Sequence, residues 1–288
     1  VTFSRDVLLG LGAALGFGTA DFIARQVTHR IGYASTLFFL QTFGSIGLLP
    51  LALVYERAQW QASDPWIWIV GLGVVNLVVA LALYRSLEYG VLSVVAPLTS
   101  MAPAISAVLA VVLLGERPSA TAVAGIVVVL VGVAALTRSG IPLSGPAPKD
   151  ARSGLLSAFV ALVGLGALSI GLKLAAAAVG PMTTIVMVRF VGVVAAVVGA
   201  VGGVAPIVPP RPGAWPQVLL LTLIDTSAFV AFATGISVGS VAIVATLTGL
   251  YAAVTVGLAA FLLGERLRPV SYGSIGLMLL GVTLILLG

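Results

Sequence analysis

Apolar residues run through this chain in blocks of about twenty, the length a helix needs to cross the hydrocarbon core of a bilayer, and short clusters of glycine, proline or charge close each block. The pattern predicts ten membrane helices, near residues 6–27, 33–55, 66–87, 91–114, 119–137, 154–176, 180–204, 215–235, 240–263 and 269–287. Within each half of the chain the joints are short. The longest polar stretch near mid-chain runs from Arg138 to Arg152 and contains Pro142, Pro146, Pro148, Lys149 and Asp150, which makes residues 138–152 a linker.

The blocks on the two sides of that linker are copies. Leu113, Leu114, Gly115, Glu116 and Arg117 recur as Leu262, Leu263, Gly264, Glu265 and Arg266, an offset of 149 residues. The same offset carries Gly90 onto Gly239, Leu98 and Thr99 onto Leu247 and Thr248, Gly132 onto Gly281 and Trp66 onto Trp215. Earlier in each copy the offset is 148, with Gly16 and Gly18 on Gly164 and Gly166, Arg25 on Lys173, and Gly44 on Gly192. Residues 1–137 and 153–288 are therefore read as two five-helix repeats. A unit with five crossings begins on one side of the membrane and ends on the other, so the second copy must be inverted. The expected fold is an all-α membrane protein of ten transmembrane helices in two inverted five-helix repeats. Such repeats are the recurrent design of secondary transporters, because one sequence solution supplies both an inward and an outward gate.

Composition narrows the function. At 60% hydrophobic and 8% charged, the 288 residues cannot hide their apolar surface in a water-soluble globule. The net charge of +5 comes from cations scattered singly, with no basic stripe for nucleic acid. With no cysteine and one histidine, His29, placed in a loop beside Arg30, there is no disulfide framework and no Cys or His metal site. No Walker loop or nucleophile elbow is present either, so the expectation is a non-enzyme with no cofactor. Val7 to Ala24 resembles a signal anchor, yet it carries the duplicated Gly16 and Gly18 and is expected to stay in the mature protein. Loop cations favour both termini outside.

The run YRSLEYGVLSVVAPLTSMAPAISAVLAVVLLGERPS, from Tyr84, and its weaker second copy GSVAIVATLTGLYAAVTVGLAAFLLGERLRP, from Gly239, resemble the EamA family of the drug/metabolite transporter superfamily. Within that family the chain is most similar to the aromatic amino-acid exporter type. The resemblance covers the whole chain. It implies a helical basket with a central cavity, export of amino acids and related metabolites, a bacterial inner membrane, and cytoplasmic termini, the last in conflict with the cation count.

Candidate chemistry lies in the few polar residues inside the apolar blocks, where a charge costs about 2.5 to 3.5 kcal/mol on insertion scales. Asp225 and its repeat counterpart Asn76 sit near mid-span and are expected to face each other, offering a carboxylate and an amide to a substrate ammonium or a coupling proton. The plainer alternative is that they bond neighbouring helices. Asp21 and Arg25 share a helix face and can neutralise each other. In the second copy Ser169 stands opposite Asp21, so Lys173 is left for a substrate carboxylate or Asp225, unless it reaches the headgroups. Arg189, opposite Gln41, is an interior ion-pair or gating candidate.

Pro97 and Pro103 are expected to kink the fourth span and free the carbonyls of Ser93 and Thr99, while the ninth, with Thr246 and Ala252 at those places, stays straighter. That asymmetry suggests a hinge, or else a static bend. Tyr84, Phe229, Phe232 and Tyr251 could stack on an apolar side chain, or simply pack. Trp60, Trp66, Trp68 and Trp215 read as an interfacial belt. Glu116 and Glu265, each beside an arginine, are either gate ion pairs or ordinary stops at the interface. The expected partners are a small-molecule substrate, an amino acid or metabolite, and the lipid bilayer, with a monomer favoured over a dimer. A phosphorylated-sugar or nucleotide-sugar exchanger, which needs several converging cations, and a non-transporting scaffold are the alternatives.

Overall fold

In the computed structural model, residues 4–61, 65–89, 98, 101–140, 151–203, 207–263 and 269–287 are described, and among them there is no strand. The helices are α1 (Arg5–Ile31), α2 (Tyr33–Tyr55), α3 (Pro65–Tyr89), α4 (Ala102–Leu114), α5 (Ala120–Gly140), α6 (Ala151–Val179), α7 (Pro181–Val201), α8 (Trp215–Val238), α9 (Val241–Thr248), α10 (Tyr251–Leu263) and α11 (Pro269–Leu287). Eight runs among the described residues are long and apolar enough to cross a membrane, with α9 and α10 forming one of them. Two shorter apolar helices, Ala102–Leu114 and Ala120–Leu136, accompany them. Because α1 continues to Ile31, His29 lies in its last turn and not in a loop.

The outward surface is apolar. Ile67, Trp68, Val201 and Phe261 are all more than three-quarters exposed, as suits helices whose solvent on that side is lipid. Burial of apolar area cannot drive helices together there, so close approach at small residues does much of the packing. The duplicated glycines are such points. A Cβ at Gly16 of α1 would lie 2.6 Å from the Ala228 Cβ of α8, and one at Gly164 of α6 would run into Val79 of α3. Gly16 and Gly164 are repeat counterparts, as are Ala228 and Val79, so α1 packs on α8 as α6 packs on α3. Helices α2 and α7 pack on each other, as do α5 and α11, each pair being its own counterpart.

The fourth and ninth spans differ from expectation. Met101 N donates to Leu98 O at 3.2 Å and Ala104 N to Met101 O at 2.9 Å; 149 residues later Leu250 N donates to Leu247 O at 3.1 Å and Ala253 N to Leu250 O at 2.9 Å. The ninth span is therefore interrupted at the turn that matches the start of α4. Pro103 does not kink a continuous helix. It occupies the first turn of α4, where the missing N–H would have no intrahelical partner anyway. The two breaks meet: a Cβ at Gly249 would lie 3.3 Å from the Pro103 ring. Pro97 lies outside the described residues.

Candidate functional site

The deepest charged group is Arg189, nine residues into α7 and 4% exposed. Its Nη2 donates to Asp225 Oδ2 of α8 at 2.5 Å, and its Nη1 donates to Thr226 Oγ1 at 2.9 Å and to the Leu40 carbonyl of α2 at 3.3 Å. The guanidinium carbon lies 5.6 Å from the Phe229 ring centroid, a distance at which the ring quadrupole attracts a cation. Phe229 in turn leans on Phe17 of α1, with centroids 6.2 Å apart. One cation thus ties α2, α7 and α8 together at mid-span, where an uncompensated charge would be costly.

Glycine makes the room. A Cβ at Gly44 of α2 would collide with Arg189 Nη1, and one at its counterpart Gly192 of α7 would collide with Gln41 Oε1. Each repeat sends a polar side chain across the α2–α7 contact into the notch left by the other's glycine. The exchange is symmetric in shape and asymmetric in chemistry. Arg189 finds Asp225, whereas Gln41 Oε1 is buried with no hydrogen-bond partner.

Asp21 of α1 is exposed and lies within electrostatic reach of Asp225 and of Tyr251, at the start of α10. Two carboxylates, one guanidinium and the rings of Phe229 and Tyr251 therefore belong to one region, contributed by α1, α7, α8 and α10. Asn76 is half-buried on α3. Asp225, expected to face it, pairs with Arg189.

Lys173 is also partnered otherwise than expected. Its Nζ donates to Glu116 Oε1 at 3.0 Å and to the Gly239 carbonyl at 2.9 Å. Glu116 in addition accepts from Ser240 Oγ at 2.7 Å and from the backbone N–H groups of Val241 and Ala242 at 2.8 and 3.2 Å. A carboxylate here satisfies free donors at the N-terminus of α9 and meets the positive end of its dipole. Burial alone would raise the Glu116 pKa, but the Ser240 hydroxyl, the two amides and Lys173 together hold it below the ordinary value. The same site borders a recess of about 450 Å³ that also includes Arg117, Pro118 and Ser119.

A second carboxylate latch has no counterpart among the expectations. Glu56, 5% exposed just after α2, accepts from Met182 N at 3.0 Å and from Thr183 N and Oγ1 at 2.7 and 2.8 Å, at the start of α7. Trp60 Nε1 donates to the same Thr183 hydroxyl at 3.0 Å and packs edge-on against Trp66. These two tryptophans thus take part in a helix cap. In sequence Glu56 looks like an ordinary charge at a span end, and only its distance of 126 residues from Met182 conceals the pairing. Thr226, Phe17 and Gly44 were missed for the same reason, although Gly44 and Gly192 each stand three residues after Gln41 and Arg189. Tyr84 lies on α3, with its side chain outside the described set, as is that of Arg25; Glu265 is outside the described residues altogether. The described residues contain no group of three or more His, Cys, Asp or Glu suited to hold a metal ion.

Comparison with known proteins agrees with the repeat. A family model for the EamA-like transporter family matches twice, over residues 5–138 and 152–287. An uncharacterized protein of Methanocaldococcus jannaschii is 28% identical over 136 residues, covering 46% of this chain and 96% of the relative, which is thus about one repeat long. A solved crystal structure aligns with a TM-score of 0.84 at 17% identity, covering 99% of this chain and 98% of its own, a likeness of fold.

Proposed function

The chain belongs to the EamA-like transporter family, membrane transporters of small molecules, and we propose that it exports amino acids with aromatic or apolar side chains, and related metabolites, by alternating access. In this reading residues 1–137 and 153–288 are the two repeats, inverted with respect to each other and joined by 138–152, and the substrate sits between them. The observation that carries it is the Arg189–Asp225 ion pair at mid-span, with the accessible Asp21 carboxylate in electrostatic reach and the Phe229 ring beneath.

A zwitterion matches that arrangement. Its ammonium meets Asp21, its carboxylate competes with Asp225 for Arg189, and its side chain lies against Phe229 and Tyr251. Binding gives Asp21 a partner and releases Asp225 from Arg189, and because the substrate is a zwitterion the net charge of the site is the same before and after. Glu116 and Lys173 form the latch at one membrane face, and release of the α9 N-terminus accompanies opening there. A doubly anionic sugar phosphate is less well served: Lys173 is held by Glu116 and Arg189 by Asp225.

Counterflow in proteoliposomes tests the proposal. Labelled phenylalanine, tyrosine or leucine is expected to accumulate against the same unlabelled amino acid, with glucose 6-phosphate inert. Asp21→Asn and Arg189→Met should each reduce the rate at least tenfold, the effect of losing about 1.4 kcal/mol of binding. Accumulation of the sugar phosphate without that of any amino acid would sink the substrate assignment. Flux unaffected by a pH gradient would make the protein a facilitator.

A further inference from the structure

Between α2 and α8 a cleft of about 460 Å³ opens sideways, lined by Phe43, Gly44, Gly47 and Leu51 on α2 and by Leu219, Leu223, Thr226 and Val230 on α8, with Met182 near one end. The cleft is built by this half of the molecule and is not a by-product of the fold. At the corresponding α3–α7 contact, Val191, counterpart of Phe43, packs onto Gly73, counterpart of Thr222, so closely that a Cβ there would lie 2.6 Å from it. That side is shut.

Three features specify the occupant. Leu51, Leu219 and Leu223 at the rim are 46%, 50% and 65% exposed, so the opening faces what surrounds the helices. Inside, the hydroxyls are already engaged: Thr222 and Ser227 donate to carbonyls one turn back on α8, and Thr226 accepts from Arg189. The rest of the lining is apolar. Finally, Phe43 to Leu51 spans about 12 Å along α2 at about 1.5 Å per residue. Gly44 and Thr226, twelfth in each helix, lie near mid-span; Leu51 and Met182 lie toward the membrane face that carries Glu56, and Leu219, fifth in α8, lies on the other side of Thr226. It is a groove along the helices that passes Gly44 and Thr226 near the bilayer midplane, about 15 Å from either edge of the hydrocarbon core.

We propose that this groove is a binding site for one acyl chain of a membrane lipid, which rests against Gly44 and Thr226 beneath the Arg189 ion pair. The chain fills the space between α2 and α8, and so holds Thr226 against the guanidinium. The inference rests on the membrane-spanning fold and does not depend on the identity of the substrate.

A phospholipid with a photoreactive diazirine at the end of one acyl chain, reconstituted with the full chain into proteoliposomes, tests it. Labelling is expected to concentrate on the peptides holding residues 43–51 and 219–230. A Cβ at Gly47 meets nothing within 4 Å, so Gly47→Phe fits the fold and fills the groove; it should cut that labelling roughly tenfold. Gly276→Phe, equally open but on the outer face of α11, should leave it unchanged. Labelling spread evenly over all lipid-facing helices, or Gly47→Phe labelled like Gly276→Phe, would each overturn the assignment.

Discussion

Replacing Gly44 by alanine puts a methyl group where the Arg189 guanidinium now lies, and within 2.7 Å of Thr226 Oγ1. The obstructed atoms are the far end of a flexible side chain, so the backbone need not move. The guanidinium must. Displacing it weakens its bonds to Asp225, Thr226 and Leu40 together, and a hydrogen bond to a charged group contributes about 1.5 to 3 kcal/mol. Complete loss of a buried pair would cost about 3 to 5 kcal/mol. Partial displacement should therefore cost about 2 kcal/mol. Gly192→Ala is its repeat counterpart and produces the same collision with Gln41 Oε1. That oxygen is neutral and has no partner to lose, so the cost should stay below about 1 kcal/mol, offset in part by the better helix propensity of alanine. Equilibrium unfolding of the purified variants in lipid bicelles measures both. In an Arg189→Met background the cost of Gly44→Ala should shrink to that of Gly192→Ala, since no charged pair remains to disturb. Equal effects of the two single substitutions, or an undiminished Gly44→Ala cost beside Met, would refute the view that the glycine notch exists to seat a charge.

Two further outcomes follow from the carboxylate latches. Glu56→Ala should destabilise the protein by about 2 to 3 kcal/mol, because it strips the α7 N-terminus of its cap and leaves buried N–H groups unpaired; unfolding measurements alongside Glu56→Gln, which keeps one acceptor, should show a smaller loss. Glu116 has a folded pKa below its ordinary value, so the stability it contributes is present above the unfolded pKa and is lost as pH falls through the folded one. In acid titrations followed by unfolding, Glu116→Gln should flatten that part of the profile and leave the neutral-to-alkaline part parallel to that of the unaltered protein.

Helix placement follows closely from hydrophobic runs because a membrane span must satisfy its own backbone within one segment, and that requirement is local. The duplication, the family and the candidates Arg189, Asp225 and Asp21 could be read in the same way, since a charge inside an apolar run is conspicuous wherever the chain folds. The pairing of those charges was not local. Asp225 was expected opposite Asn76, and Lys173 to meet a substrate carboxylate or Asp225 or else to reach the headgroups; in the structure Arg189 pairs with the first and Glu116 with the second, across 36 and 57 residues of chain. The break in the ninth span was hidden as well. Proline was expected to kink the fourth, yet the ninth turns at Leu250 without one, after Gly249. What the sequence determined alone is which segments are helical, that they come in two copies, and where charge enters the membrane. The tertiary structure decided which charge meets which, what each duplicated glycine makes room for, and which of two equivalent helix contacts remains open, because those depend on the crossing of helices that one-dimensional spacing does not contain.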